Sequence, residues 1–124
     1  MVTVLVVDDE RDIREAVAEV LRDEGFAVVD ATDGADAIRQ LRAHHPAVVL
    51  LDLMMPGMNG WEFCAARKGD PELSAIPVIV ISALGRVSGR DAAAWLQKPV
   101  ELDALVETVR HCAAAQAGGP EAPA

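Results

Sequence analysis

Residues 2–7, VTVLVV, form a short β-branched run that is cut off at once by the acids of "DDE". Behind it Ile13, Ala16, Val17, Val20 and Leu21 recur at the three-and-four spacing of one helical face. Asp12 and Glu15 predict a capping box at the start of this helix, and Gly25 its stop. Phe26 to Ala31 reads as a strand. Gly34 to His45, with Ala37, Ile38 and Leu41 on one face, reads as a helix bounded by Pro46. AVVLL at residues 47–51 is continuously apolar, the pattern of a strand buried on both faces. A loop rich in Met, Pro and Gly follows, and residues 60–68 return to helical character. "GDPELSAIP" is a turn-rich connector into a strand over Val78 to Ile81. A last apolar piece closes at Lys98-Pro99, and Leu102, Leu105, Val106, Val109 and Cys112 mark one face of a helix over residues 101–115.

Strands alternating with helices five times over predict an α/β fold, a doubly wound parallel sheet with right-handed crossovers and helices on both faces. One interval breaks the rhythm. "ISALGRVSGRDAAAWLQKP" leaves little room for a helix between Ser82 and Lys98, and it contains Gly85 and Gly89.

The length of 124 residues is that of one domain, taken here as residues 1–116, with 117–124 as a disordered tail. Hydrophobic residues make up 52% and aromatic ones 3%, so the core is aliphatic. Twenty acidic against eleven basic side chains give a net charge of −9, which argues against direct nucleic-acid or anionic-membrane binding. Cys64 and Cys112 fall on separate predicted helices and read as buried free thiols of a reducing compartment. No secretory leader pattern and no bilayer-length apolar segment is present, so the expected location is cytoplasmic.

In doubly wound sheets, ligands bind beyond the carboxyl ends of the strands. Here those ends carry Asp8 and Asp9, then Asp52, Ser82 and Lys98. Singly, each has a plain reading: an acid pair after a strand is commonly a turn or a cap, a serine often ends a strand, and a lysine before proline usually lies on the surface. Together at one edge they are harder to explain that way. Two carboxylates about 4 Å apart repel by about 4 kcal/mol at an effective dielectric of roughly 20. Three of them call for a hard divalent cation, Mg²⁺ or Mn²⁺, held by oxygen ligands and retained waters.

"VLVVDDE", "LLDLMMPGMNG", "VIVISA" and "WLQKP", in that order, resemble the landmarks of the receiver domains of two-component response regulators, over residues 2–115. The resemblance implies a flavodoxin-like five-stranded sheet of order 2-1-3-4-5. It makes Asp52 the phosphoacceptor, served by a sensor histidine kinase, a histidine phosphotransfer protein or a small phosphodonor. Mg²⁺ is then ligated by the side chains of Asp9 and Asp52, by the backbone carbonyl of Met54, and by Asp8 through water. Ser82 hydrogen-bonds a phosphoryl oxygen and Lys98 pairs with another. Ser82 and Trp95 form the conformational switch, and the Lys98-Pro99 peptide is cis. The effector is unidentified, and the molecule is a monomer or a phosphorylation-dependent dimer.

Two features depart from the family pattern. Trp95 stands where Tyr or Phe is usual. The interval after Ser82 is about one and a half helical turns short, at roughly 3.6 residues each, so the fourth helix is shortened or irregular, with any turns at Ser88 to Ala94. The output surface should therefore be the least family-like part. Two other functions fit the same fold: a non-phosphorylated interaction module, and a Mg²⁺-dependent phosphohydrolase with an aspartyl nucleophile. The latter class carries a second acid two residues after the nucleophile, where this chain has Met54.

Overall fold

In the computed structural model, which describes residues 2–52, 60–82 and 92–118, five strands and four helices follow one another. In chain order they are β1 (Thr3–Val7), α1 (Arg11–Asp23), β2 (Ala27–Ala31), α2 (Gly34–His44), β3 (Val48–Asp52), α3 (Gly60–Lys68), β4 (Val78–Ser82), β5 (Ala94–Gln97) and α4 (Leu102–Gly118). The strands form one parallel sheet of order β2-β1-β3-β4-β5. Leu5 aligns with Val29 on one side and Val49 on the other, Leu51 with Val80, and Val80 with Trp95. This is the predicted topology.

The two-residue period of the strands divides the core into two layers. Leu5, Val7, Val49, Leu51, Val78 and Val80 pack with Ala37 and Leu41 of α2 and Phe63 of α3. Val4, Val6, Val48, Leu50 and Ile79 pack on the other face with Val17 and Leu21 of α1 and Leu105, Val106 and Val109 of α4. All five residues of β3 are buried, because helices cover both of its faces. Each such Leu or Val stabilises the fold by about 1.5–3 kcal/mol through burial alone.

The inward stripe of α1 is rotated from the one expected. Val17, Ala18 and Leu21 are buried, with Arg14 one turn ahead of them, whereas Ala16 is exposed and Ile13 is 38% exposed. The capping box is also absent. Glu10 occupies the N-cap position without a side-chain cap bond, and Asp12 lies inside the first turn. Glu15 pairs instead with Arg11 at 2.8 Å. The helix starts two residues earlier than that box needs: with Glu10 as N-cap the third helical position is Ile13, which has no carboxylate to return to the cap, and the Glu10 N–H donates to Asp8 Oδ1 at 2.8 Å. Gly25 does end the helix, at φ +97°, with its own N–H on Arg22 O and the Phe26 N–H on Leu21 O, both at 3.0 Å. In α2, Asp33 is the N-cap and accepts from the Asp36 N–H at 2.8 Å.

Helical turns were expected as far as Ala94, but Ala94 opens β5, and the Ala93 N–H bonds Val78 O at 2.7 Å. The rest of that interval, residues 83–91, lies outside the described residues, and so does the short fourth helix expected there. At the far end α4 runs to Gly118 and leaves Leu102 44% exposed. Cys112 is buried and Cys64 half-buried, and neither forms a disulfide. The Lys98-Pro99 peptide is cis. Among the described residues, no helix is long and apolar enough to cross a membrane.

Candidate functional site

Parallel strands end at the same edge, and the registers bring the four chemical groups within two residues of each other. Val7 aligns with Leu51, Asp52 with Ile81, and Ser82 with Gln97, so Asp8, Asp52, Ser82 and Lys98 all cap the sheet on one side. The carboxylate oxygens of Asp8, Asp9 and Asp52 converge within 4.8 Å of one another. Lys98 Nζ lies 3.6 Å from Asp52 Oδ2. Three negative charges thus face one ammonium.

Asp8 and Asp52 are only 6% and 5% exposed, whereas Asp9 is open to solvent. Burial pushes the Asp8 carboxyl above its ordinary value of 3.8. The Glu10 N–H works against that rise, Asp52 and Asp9 add to it, and Lys98 opposes it. A donor set made only of carboxylate oxygens, net negative and with one member facing water, matches what a hard divalent cation accepts, since such ions take oxygen ligands and keep several waters.

Ser82 is 1% exposed at the end of β4, and its carbonyl accepts from the Lys98 N–H at 2.9 Å. That bond holds the residue after β5 level with the end of β4. Trp95 lies two residues further back, level with Val80, half-buried against the layer formed with α2 and α3. The structure therefore brings Asp8, Asp9, Asp52 and Lys98 together, seats Ser82 on the same edge, and sets Trp95 in the body of the sheet. Met54 lies outside the described residues.

Two features at this edge had no counterpart in the sequence reading. Arg14 donates from Nη1 to the Asp8 carbonyl at 2.9 Å and from Nε to Asp30 Oδ2 at 3.2 Å. The available signal was its position: Arg14, Val17, Ala18 and Leu21 follow the i, i+3, i+4, i+7 spacing, which makes a charged residue the head of the buried stripe. The second feature is a cavity of about 490 Å³ between α1, α4 and the sheet, lined by Ile13, Leu50, Leu102 and Leu105 together with Asp8 and Lys98.

The response regulator receiver domain family matches residues 4–110. Among characterised proteins, the DNA-binding response regulator MtrA of Mycobacterium tuberculosis is 38% identical over 115 residues, which cover 86% of this chain and 48% of MtrA. The chain thus spans about half the length of that relative. Protein PilG of Pseudomonas aeruginosa is 32% identical over 115 residues, covering 86% of this chain and 84% of PilG. Among solved structures, the chemotaxis protein CheY4 of Vibrio cholerae superposes with a TM-score of 0.81 at 29% identity, covering 90% of this chain and 98% of the other. A putative response regulator from Chloroflexus aurantiacus gives 0.82 at 30% identity, covering 90% and 97%. With its sheet order, its edge of acids and lysine, and a family match over residues 4–110, the chain belongs to the receiver domains of two-component response regulators.

Proposed function

We propose that this chain is a phosphorylation-controlled signalling domain in which Asp52 accepts a phosphoryl group from the phosphohistidine of a sensor kinase or of a histidine phosphotransfer protein. The observation that carries this reading is the placement of Asp52: a buried carboxylate at a strand end, 3.6 Å from Lys98 Nζ and inside a cluster of three acids. An Asp52 oxygen forms the new P–O bond as the P–N bond breaks, and the bonding pair goes to the departing imidazole nitrogen. Little covalent help is needed for such a transfer beyond positioning and charge neutralisation. Lys98 supplies part of that neutralisation by meeting a phosphoryl oxygen.

Asp9 and Asp52 would hold Mg²⁺ through their side chains, Met54 through its carbonyl, and Asp8 through a water. The cation, or Mn²⁺ in its place, would offset the charge that builds up on the transferring oxygens. Ser82 donates its hydroxyl to the aspartyl phosphate, and Trp95, three residues before Lys98, repacks in response. The domain turns over only its own phosphate, works in the cytoplasm, and passes the signal to an effector by a change of surface or by dimerisation. The acidic chain itself is not assigned to nucleic acid.

The test is incorporation of phosphate from a histidine-phosphorylated donor or acetyl phosphate in the presence of Mg²⁺. Asp52→Asn should abolish labelling, and labelling of that variant at the parent's rate would refute the assignment. Titration with beryllofluoride and Mg²⁺, followed by NMR, should shift the resonances of Ser82 and Trp95. A spectrum unchanged at both residues would remove the switch from this reading.

A further inference from the structure

We propose that Arg14 is a positioning residue for the cation site, fixing the turn that presents Asp8 and Asp9 while it is itself anchored on Asp30. The inference rests on the reading of the three carboxylates as a Mg²⁺ site.

The turn between β1 and α1 has to aim two acids at a third, against their mutual repulsion. Among the described residues, three bonds hold Asp8 in place. Its N–H continues the β1–β2 ladder onto Ala31 O at 3.2 Å, its carboxylate accepts from the Glu10 N–H at 2.8 Å, and its carbonyl accepts from Arg14 Nη1 at 2.9 Å. Only the third comes from a side chain. Arg14 is well placed for the task, with 12% of its side chain exposed, its own N–H bonded to Glu10 O at 3.0 Å, and its Nε on Asp30 Oδ2 at 3.2 Å. The guanidinium thereby links α1, the acid-bearing turn and the carboxyl end of β2. Its rigid fork can bond a carbonyl and a carboxylate at once, which a lysine ammonium on a flexible stem cannot do with the same geometry. Groups that orient metal ligands without touching the metal typically govern affinity by about 10- to 100-fold.

Charge alone predicts the opposite effect. Arg14 is a cation beside a cation site, so deleting it should tighten Mg²⁺ binding if repulsion were its only influence. If Arg14 positions the ligands, deletion weakens binding.

The experiment is calorimetric titration of Mg²⁺ into the parent chain, Arg14→Ala, Arg14→Lys and Asp30→Asn, together with the Mg²⁺ dependence of acetyl-phosphate labelling. The expected result for Arg14→Ala is about a tenfold weaker Kd for Mg²⁺, a matching rise in the Mg²⁺ concentration for half-maximal labelling, and a labelling rate at saturating Mg²⁺ close to the parent's. Arg14→Lys should recover only part of the affinity, and Asp30→Asn should show a smaller loss in the same direction. Should Arg14→Ala not fold, the lysine and Asp30 variants decide the matter. Unchanged or tighter Mg²⁺ binding in the folded variants, whatever their melting temperatures, overturns the role of Arg14. A parent chain that gives no Mg²⁺ isotherm overturns the metal reading itself and this inference with it.

Discussion

At Asp8 the fold holds a carboxyl group almost out of water, beside two other acids, with one backbone N–H donated to it. Its native pKa lies above 3.8, so the folded state binds that proton more tightly than the unfolded chain does. The resulting stabilisation is complete below about 3.8 and is lost as pH rises through the raised native value. At neutral pH, the charged Asp8 is therefore a cost to the metal-free protein. In chelator, Asp8→Asn should melt at a higher temperature than the parent at pH 7, with the gap closing as the pH is lowered toward 4. Saturating Mg²⁺ should shrink that gap. Thermal melts across pH, with and without Mg²⁺, check both statements, and equal melting temperatures at pH 7 in chelator would contradict the first. The acids and Lys98 were legible from sequence because each ends an apolar run, and strand ends share an edge in a parallel sheet. Arg14 was not, since its partners are a backbone carbonyl and an acid sixteen positions away.

Helix boundaries carry the next level of specification. Gly25 sits at φ +97°, where no Cβ would meet another atom, so the cost of a side chain there is backbone strain alone. Gly25→Ala should destabilise the fold by about 1–2 kcal/mol. Asp33→Ala, which removes the bond to the Asp36 N–H, should cost about 1 kcal/mol. Urea titrations measure both as shifts in midpoint at constant slope. These ends also show where sequence reading stops. Gly25 and Pro46 marked their helix ends through local backbone preference, which is a property of one or two residues. The start of α1 was misplaced because the N–H of its N-cap residue, Glu10, is bonded by Asp8, a residue of the preceding strand end rather than of the helix. The opening of β5 was missed for a similar reason. Alanines favour helix, yet Ala93 and Ala94 are drawn into the ladder by β4, a partner that the local sequence does not reveal.

At the scale of the molecule, the parallel sheet with an apolar layer on each face followed from the alternation of strands and helices, whereas its strand order followed from the resemblance to receiver domains. Leu50, 1% exposed in the layer under α1 and α4, should cost about 2–5 kcal/mol when cut to Ala. The net charge of −9 acts over the whole surface. Mg²⁺ at a hundred times its Kd should raise the unfolding free energy by about 2.7 kcal/mol. Added NaCl should reduce that gain by screening the acids that attract the cation. A melting temperature indifferent to Mg²⁺ at low salt would contradict the expectation.

The strand order also leaves β2 as a margin of the sheet, paired only with β1 among the described residues. An open margin offers unpaired peptide groups to any other extended chain, and proteins discourage such pairing by placing charge on it. β2 reads Ala-Val-Val-Asp-Ala, so Asp30 is its sole charge. Removing it leaves a short, wholly uncharged border suited to strand addition between molecules. Asp30→Asn samples should therefore be watched by light scattering at high concentration. Growth of scattering there, absent in Arg14→Ala, would mark Asp30 as a guard against association in addition to its bond with Arg14.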